Sequence, residues 1–418
     1  MNIVAHQNET LDTIIEKSHN ETNKSISKAL EMFDLEISSK LDKTRWEIIK
    51  IDERTILSSY GLLSFKRRYY YDRIEKQYLY PLDNILKIPK NSRITNELRI
   101  KILAEAAVKS YREVGETVAR DNVLSKSTIF RIIKDSKIEQ IFPKRFVPTN
   151  SKIHVQIDEK FIGMTTSTSK KRYYTATIFT GRAQCGKNKH KLLNKSVLSS
   201  NDTAKLAQKL NILLKEQYKV SIDDSIFLSG DLATYIQNFP ERITVCKAEY
   251  VPDKFHVYRA IKLFLPDLIF DEYDLNTKQL QNYIINQLSK FPDEVEARKI
   301  VKLLKNKRES LKAYINPDYE GCSQEGQNSH IYAPRFGKYA NRFNPSTIEK
   351  LALIREAKAN DSNIIVSSKK RILPTPVLLD YKWHLNRKEK QYIDLNNIIV
   401  PWRNVLFGII HGTWYNCN

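Results

Sequence analysis

His154-Val155-Gln156-Ile157-Asp158 and Ile226-Phe227-Leu228-Ser229-Gly230-Asp231 share one build, a short apolar run that ends in an aspartate. Runs of about four to eight such residues read as buried strands, and a carboxylate at the end of one is explained neither by burial nor by a helix surface. The second half of the chain alternates around them. Residues 152–161 and 172–180 read as strands and 195–199 as a short third. Asp202 caps a helix to Tyr218, and strands follow at 225–229 and 243–250. Three consecutive strands, a helix, a strand, a helical piece and a further strand is the order of an RNase H-like α/β domain, expected over residues 150–360. Leu280, Tyr283, Ile284 and Leu288, then Val295, Val301, Leu304 and Leu311, carry helical stripes. An all-helical insertion at about 257–320 therefore interrupts the domain. Beyond it lies Gly321-Cys322-Ser323-Gln324-Glu325-Gly326.

Asp158, Asp231 and Glu325 are the candidate catalytic and metal-binding residues. Phosphoryl transfer on DNA uses two hard cations about 4 Å apart that clamp the attacking and leaving oxygens, and carboxylates are their natural ligands. The expected cofactor is two Mg²⁺, with Mn²⁺ able to substitute. Singly, an aspartate after a strand is more often a turn former; the conjunction with the strand order raises each acid above that reading. The expectation is geometric. Asp158 and Asp231 should lie on neighbouring strands with carboxylates roughly 4–7 Å apart, and Glu325 should approach the same point from a helix or loop. Glu159 is the runner-up to Asp158, but strand alternation aims it away.

The first half is read as a DNA-binding region. Lys+Arg is 69 against Asp+Glu 48 over 418 residues, a net charge of +21, and such an excess suits a polyanionic partner. Residues 1–45 hold 6 basic and 8 acidic side chains, so the excess lies elsewhere and an AT-rich genome alone does not account for it. Residues 9–41 read as a helix within an N-terminal segment, 1–50, that packs on its own chain or self-associates. A basic β-hairpin is expected within 51–95, with Gly61 in its turn and Lys66, Arg67 and Arg68 interleaved with tyrosines for DNA contact. Residues 96–142 read as a helix-turn-helix. Ser125 caps its third helix, Ile129, Ile132 and Ile133 face inward, and Lys126, Ser127, Arg131 and Lys134 are offered to a major groove. Pro143 to Pro148 reads as a linker and domain boundary. Cys185, Cys246, Cys322 and Cys417 show no CxxC pair or zinc spacing, as in a reduced cytosolic protein. No apolar run approaches a membrane span and the N-terminus has no signal-peptide core. The reading is cytoplasmic, with no membrane partner.

Over residues 54–360 the chain resembles bacterial transposases of the ISLre-two family, related to those that mobilise conjugative elements of the TnGBS type. The resemblance rests on Gly61-Leu62-Leu63-Ser64-Phe65-Lys66-Arg67-Arg68-Tyr69-Tyr70, Ser110-Tyr111-Arg112-Glu113, Gly230-Asp231, Asp253-Lys254-Phe255-His256 and Ser323-Gln324-Glu325-Gly326. It implies a DDE transposase with an RNase H-like domain and an acidic triad at Asp158, Asp231 and Glu325, interrupted before the glutamate by helices. It also implies an Asp-x-x-His signature at Asp253 and His256, the histidine positioning a phosphate or the attacking water. Double-stranded DNA, a homo-oligomer on that DNA and a nucleoid location come with it. The chain departs from the pattern at Gln327, where the family usually has histidine, although His330 is kept. Arg335-Phe336-Gly337-Lys338-Tyr339 replaces a small-residue and tryptophan stretch, and residues 361–418, read as a basic tail, match nothing. Two other activities stay open: a DNA-binding relic without catalysis, and a structure-selective nuclease on the same fold.

Overall fold

The computed structural model describes residues 11–88, 90–119, 122–143, 147–148, 151–187, 189–337 and 342–368. These fall into two compact units, residues 11–56 with 62–93 and residues 57–61 with 94–368.

The first unit is built from α1 (Leu11–Lys40), β1 (Trp46–Ser58), β2 (Gly61–Asp72), β3 (Gln77–Leu79) and α2 (Pro81–Ile85), the strands forming one sheet in the order β1-β2-β3. Gly61 opens β2 with φ 117°, a left-handed conformation that favours glycine. Ile37 of α1 packs with Ile56, Leu63, Phe65 and Leu82, so the N-terminal helix is seated on its own chain. β3 pairs only with Tyr70–Asp72. The earlier N–H groups along that edge of β2 are met by α1: Glu31 accepts from the Lys66 N–H at 2.8 Å and Asp34 from the Arg68 N–H at 3.2 Å. An open strand edge is closed by carboxylates, which gives the acidic composition of α1 a structural use.

The same packing corrects the expectation for the basic hairpin. Arg67 is buried, paired with Asp83, and its guanidinium lies 3.5 Å from the centroid of the Tyr80 ring. Burial pulls its pKa down to about 10. Arg68 pairs with the buried Asp34. Neither guanidinium is offered to a ligand, because each is held by a buried aspartate; Lys66 alone of the three is exposed, on the same open face as Leu62 and Ser64. Arg67→Ala should therefore leave Asp83 as an uncompensated buried charge and destabilise this unit by about 3–5 kcal/mol. Chemical denaturation would read this, and a fall in DNA affinity with unchanged stability would reverse the assignment.

The second unit begins with α3 (Asn96–Ala106), α4 (Tyr111–Thr117) and α5 (Lys126–Asp135), N-capped by Thr95, Ser110 and Ser125. Each cap side chain accepts a backbone N–H one turn in, as short helices require. β4 (Ser136–Ile141) follows directly. Then come β5 (Ile153–Met164), β6 (Lys170–Phe179), a hairpin of β7 (Gly181–Gly186) and β8 (Lys189–Leu193), and β9 (Ser196–Ser200). α6 (Thr203–Glu216), β10 (Ser225–Gly230), α7 (Thr234–Gln237) and β11 (Lys247–Pro252) complete the sheet region. The sheet runs β11-β10-β5-β6-β9, with β5, β10 and β11 mutually parallel and β6 and β9 antiparallel to their neighbours.

From Lys254 the chain is helical: α8 (Lys254–Phe264), α9 (Glu272–Leu275), α10 (Lys278–Leu288), α11 (Val295–Asn306) and a 3-10 segment, Arg308–Ile315. The remainder is α12 (Gln324–Ile331), α13 (Ala333–Phe336), β12 (Arg342–Phe343), α14 (Pro345–Ala359) and β13 (Asn363–Ser368). Val155, Ile157, Ile226 and Leu228 bury one sheet face with Leu206, Leu210 and Leu213 of α6, and this core continues into Ile284, Ile300 and Leu304 of the insertion.

The linker expected at 143–148 does not divide the compact units. Residues 144–146 lie outside the described residues. Helices α3–α5 share a core with α14, in which Ile102, Leu103, Ile129 and Ile133 meet Ile348 and Leu351. β4 pairs antiparallel with β13, so residues 363–368, expected within the tail, form a strand; 369–418 lie outside the described residues. Burial at this seam raises one carboxyl: Glu356 of α14, fully buried and hydrogen-bonded by Ser199 and Tyr332, is pushed up to about 7. A raised acid binds its proton more tightly in the folded state. Stability is therefore fullest below about pH 4.5 for this group and declines as pH rises towards 7, by roughly 3 kcal/mol. Glu356→Gln should flatten that decline in pH-resolved unfolding; an unchanged slope would remove Glu356 as its source.

Candidate active site

Alternation carries His154, Gln156 and Asp158 to the sheet face opposite the α6 core. The register sets Phe227 beside His154 and Ser229 beside Gln156, and pairs Gly230 with Ile157. One step on, Asp231 leaves β10 beside Asp158, on the same face. β11 repeats the pattern. Gly230 pairs with Pro252, and the Asp253 N–H donates to the Gly230 carbonyl at 2.7 Å. Three aspartates thus stand in a row across three adjacent parallel strands, Asp158 midway along β5 and Asp231 and Asp253 just past the ends of β10 and β11.

Each is held by its own contacts. Asp158 accepts from the Glu159 N–H and from Asn328 Nδ2, both at 2.7 Å. Asn328 is fixed in turn by the Thr175 hydroxyl at 2.8 Å, and Thr175 also accepts from Gln324 at 3.1 Å. Thr175 faces Asp158 across the β5–β6 pair. Asp231 Oδ1 accepts the Ala233 N–H at 2.8 Å, and the Tyr250 hydroxyl donates to its carbonyl. Asp253 caps α8 through the Phe255 N–H at 3.0 Å, and His256 Nε2 lies 3.8 Å from its carboxylate. Burial and the neighbouring Asp231 raise the pKa of Asp158. Burial and Asp231 likewise raise Asp253, against the Phe255 N–H and His256, which lower it. Burial and the neighbouring Asp253 raise the pKa of the Cys322 thiol.

Gln156 holds the segment that carries Cys322, donating to the Gly321 carbonyl at 2.8 Å and accepting from the Ser323 N–H at 3.0 Å. His154 stacks between Phe179 and Phe227, and burial lowers its pKa to about 4. These polar groups in buried strand positions are legible as an alternate-residue pattern, yet only the packing shows their partners. Asn328 had no such signal beyond its place four residues after Gln324.

Glu325 departs from expectation. It is exposed on α12, whose sheet-facing positions are Gln324, Asn328 and Ile331. Glu325 stands one helical turn before Asn328, whose side chain bonds Asp158, but its own side chain is exposed where Gln324 and Asn328 are buried. Among the described residues no three His, Cys, Asp or Glu side chains gather closely enough to hold a metal ion. The donor set of Asp158 and Asp231, half-buried hard oxygens, does suit a divalent cation. Glu159 faces the other way, towards Tyr235 and Arg172. Lys126, Ser127, Arg131 and Lys134 are exposed along α5 while Ile129, Ile132 and Ile133 are buried.

Fold and site together define a mixed α/β protein with an acidic row across its parallel strands. The chain belongs to the uncharacterised protein family UPF0236, whose family model matches residues 5–363. UPF0236 proteins of Caldanaerobacter subterraneus subsp. tengcongensis are similar to it. One, whose name joins eleven loci, is 23% identical over 343 residues, covering 78% of this chain and 72% of its own length. Another, whose name joins four loci, is 22% identical over the same shares. The family thus occurs as multi-copy paralogues. No helix among the described residues is long and apolar enough to cross a membrane.

Proposed function

We propose that this chain is a DDE-type transposase, an RNase H-like enzyme that nicks DNA at the ends of a mobile element and joins the freed 3′-OH to target DNA. The observation that carries the reading is the pair Asp158 and Asp231, the first on β5 and the second one residue past the Gly230–Ile157 pair that aligns β10 with it, close enough that Asp231 raises the pKa of Asp158. Further support comes from the sheet order β11-β10-β5-β6-β9, the helices between β11 and α12, the charge of +21 and the many copies of the family in one genome.

In this reading Asp158 and Asp231 hold Mg²⁺ or Mn²⁺, which when bound supplies charge stabilisation at the scissile phosphate and an activated attacking oxygen. Asn328 and the Glu159 N–H orient the Asp158 carboxylate, and Tyr250 steadies the backbone at Asp231. Glu325 would serve as the third acid only with its exposed side chain turned towards this pair. It stands in the first turn of α12, beside Gly326, around which a side chain would meet nothing within 4 Å. His256, tied to Asp253, positions a phosphate or water. The chain works as a homo-oligomer on DNA at the nucleoid.

Helices α3–α5 serve as the helix-turn-helix. Arg131→Ala should weaken binding to element ends by about 1–3 kcal/mol if it reads a guanine. If Arg131 meets phosphate alone, the loss is even across sequences with a shallower salt slope. No loss on either DNA would make α5 structural. The reading as a whole is tested by incubating the full chain with Mg²⁺ and duplexes bearing its element ends. Nicked and joined products are expected; cutting without joining would make it a nuclease, and binding without cutting a relic.

A further inference from the structure

The helical insertion carries a charged face that the acidic row does not use. α11 buries Ala297, Ile300, Leu303 and Leu304 in the core of the unit. Arg298, Lys302 and Lys305, at i, i+4 and i+7, are exposed on its other side. They border a cleft of about 380 Å³ floored by Leu288, Phe291 and Val301. Other cations nearby are engaged: Lys299 pairs with Glu296 at 2.9 Å and Lys307 donates to the Gln237 carbonyl at 2.6 Å. Among the described residues Arg298, Lys302 and Lys305 pair with no carboxylate.

We infer that this face of α11 is a phosphate track for double-stranded DNA, separate from the base-reading surface of α5. The inference rests on the DNA-processing role proposed above and adds a second contact region to it. Three uncompensated cations on a core-anchored helix are spaced by a rigid backbone, about 10 Å from first to last at 1.5 Å per residue. That spacing spans successive phosphates of a duplex strand, so little ordering accompanies binding. Contacts of this kind position DNA without reading its sequence. Their mark is counterion release, which sets the slope of log K against log salt at about −0.9 per neutralised phosphate.

The test compares the full-length chain with the triple variant Arg298→Ala/Lys302→Ala/Lys305→Ala. Binding is measured over a range of salt to a duplex of arbitrary sequence and to one bearing an element end. The variant should lose affinity on both, with the slope shallower by about 2–3, and should keep the wild-type unfolding transition because all three side chains are exposed. The charge-conserving variant Arg298→Lys/Lys302→Arg/Lys305→Arg should retain the wild-type slope. A triple-alanine variant with the wild-type slope would overturn the track alone; an acidic protein partner for this face would give that result. A wild type that binds neither duplex would overturn the track and the DNA-processing reading together.

Discussion

Asp231→Asn is expected to abolish nicking and strand transfer while leaving end-specific DNA binding and folding intact. The amide replaces the carboxylate at nearly constant volume. Its oxygen can still accept the Ala233 N–H that Asp231 Oδ1 accepts at 2.8 Å, so the turn after β10 survives. What is lost is charge. Asp158 is half-buried, with a pKa raised by burial and by Asp231, and an asparagine relieves that repulsion but offers a hard cation only a neutral, weaker oxygen in place of a carboxylate. Loss of metal-borne charge at the scissile phosphate costs several kcal/mol of transition-state stabilisation, roughly a thousandfold or more in rate. Single-turnover cleavage and a parallel binding assay separate the two effects. Full nicking by Asp231→Asn would remove this residue from the chemistry.

The second large effect is expected one residue earlier. A Cβ at Gly230 would sit 2.6 Å from the Ile157 carbonyl oxygen and 2.7 Å from Ile236 Cγ2. The first of these is backbone and cannot swing aside. Gly230→Ala should force β10 away from β5 and cost about 1–3 kcal/mol or more through overpacking. The displaced strands carry Asp158 and Asp231, so activity should fall together with thermal stability. Trimming the second neighbour, as in Gly230→Ala/Ile236→Ala, should not restore either, because the carbonyl contact remains. A Gly230→Ala protein within 0.5 kcal/mol of wild type and fully active would show that the strands have slack here. The glycine lets two strands approach.

Arg67 marks a limit of local reading. Alternation along β2 predicts correctly that Phe65 and Arg67 share a face, but a pattern of period two does not say whether that face meets solvent or protein. The ion partners of Arg67 and Arg68 are Asp83 and Asp34, on helices that follow and precede the strand. Nothing near the arginines in sequence announces either one.

The sequence by itself determined the apolar strand segments that lead to Asp158 and Asp231, the helical run before Glu325, the inward face of α5 and the chain's positive charge; it did not show that β5 runs on past Asp158 to Met164. Each of these is local: a short apolar run, a 3.6-residue stripe, a capping serine or a count of ionisable side chains. Tertiary structure alone decided the pairing of β4 with β13 more than two hundred residues apart, the shared core of α3–α5 with α14, and the entry of Asp253 into the row. It also turned Gln324 and Asn328 towards the sheet and Glu325 outward. These depend on register and helix rotation, set by the packing of distant surfaces that no window of sequence contains.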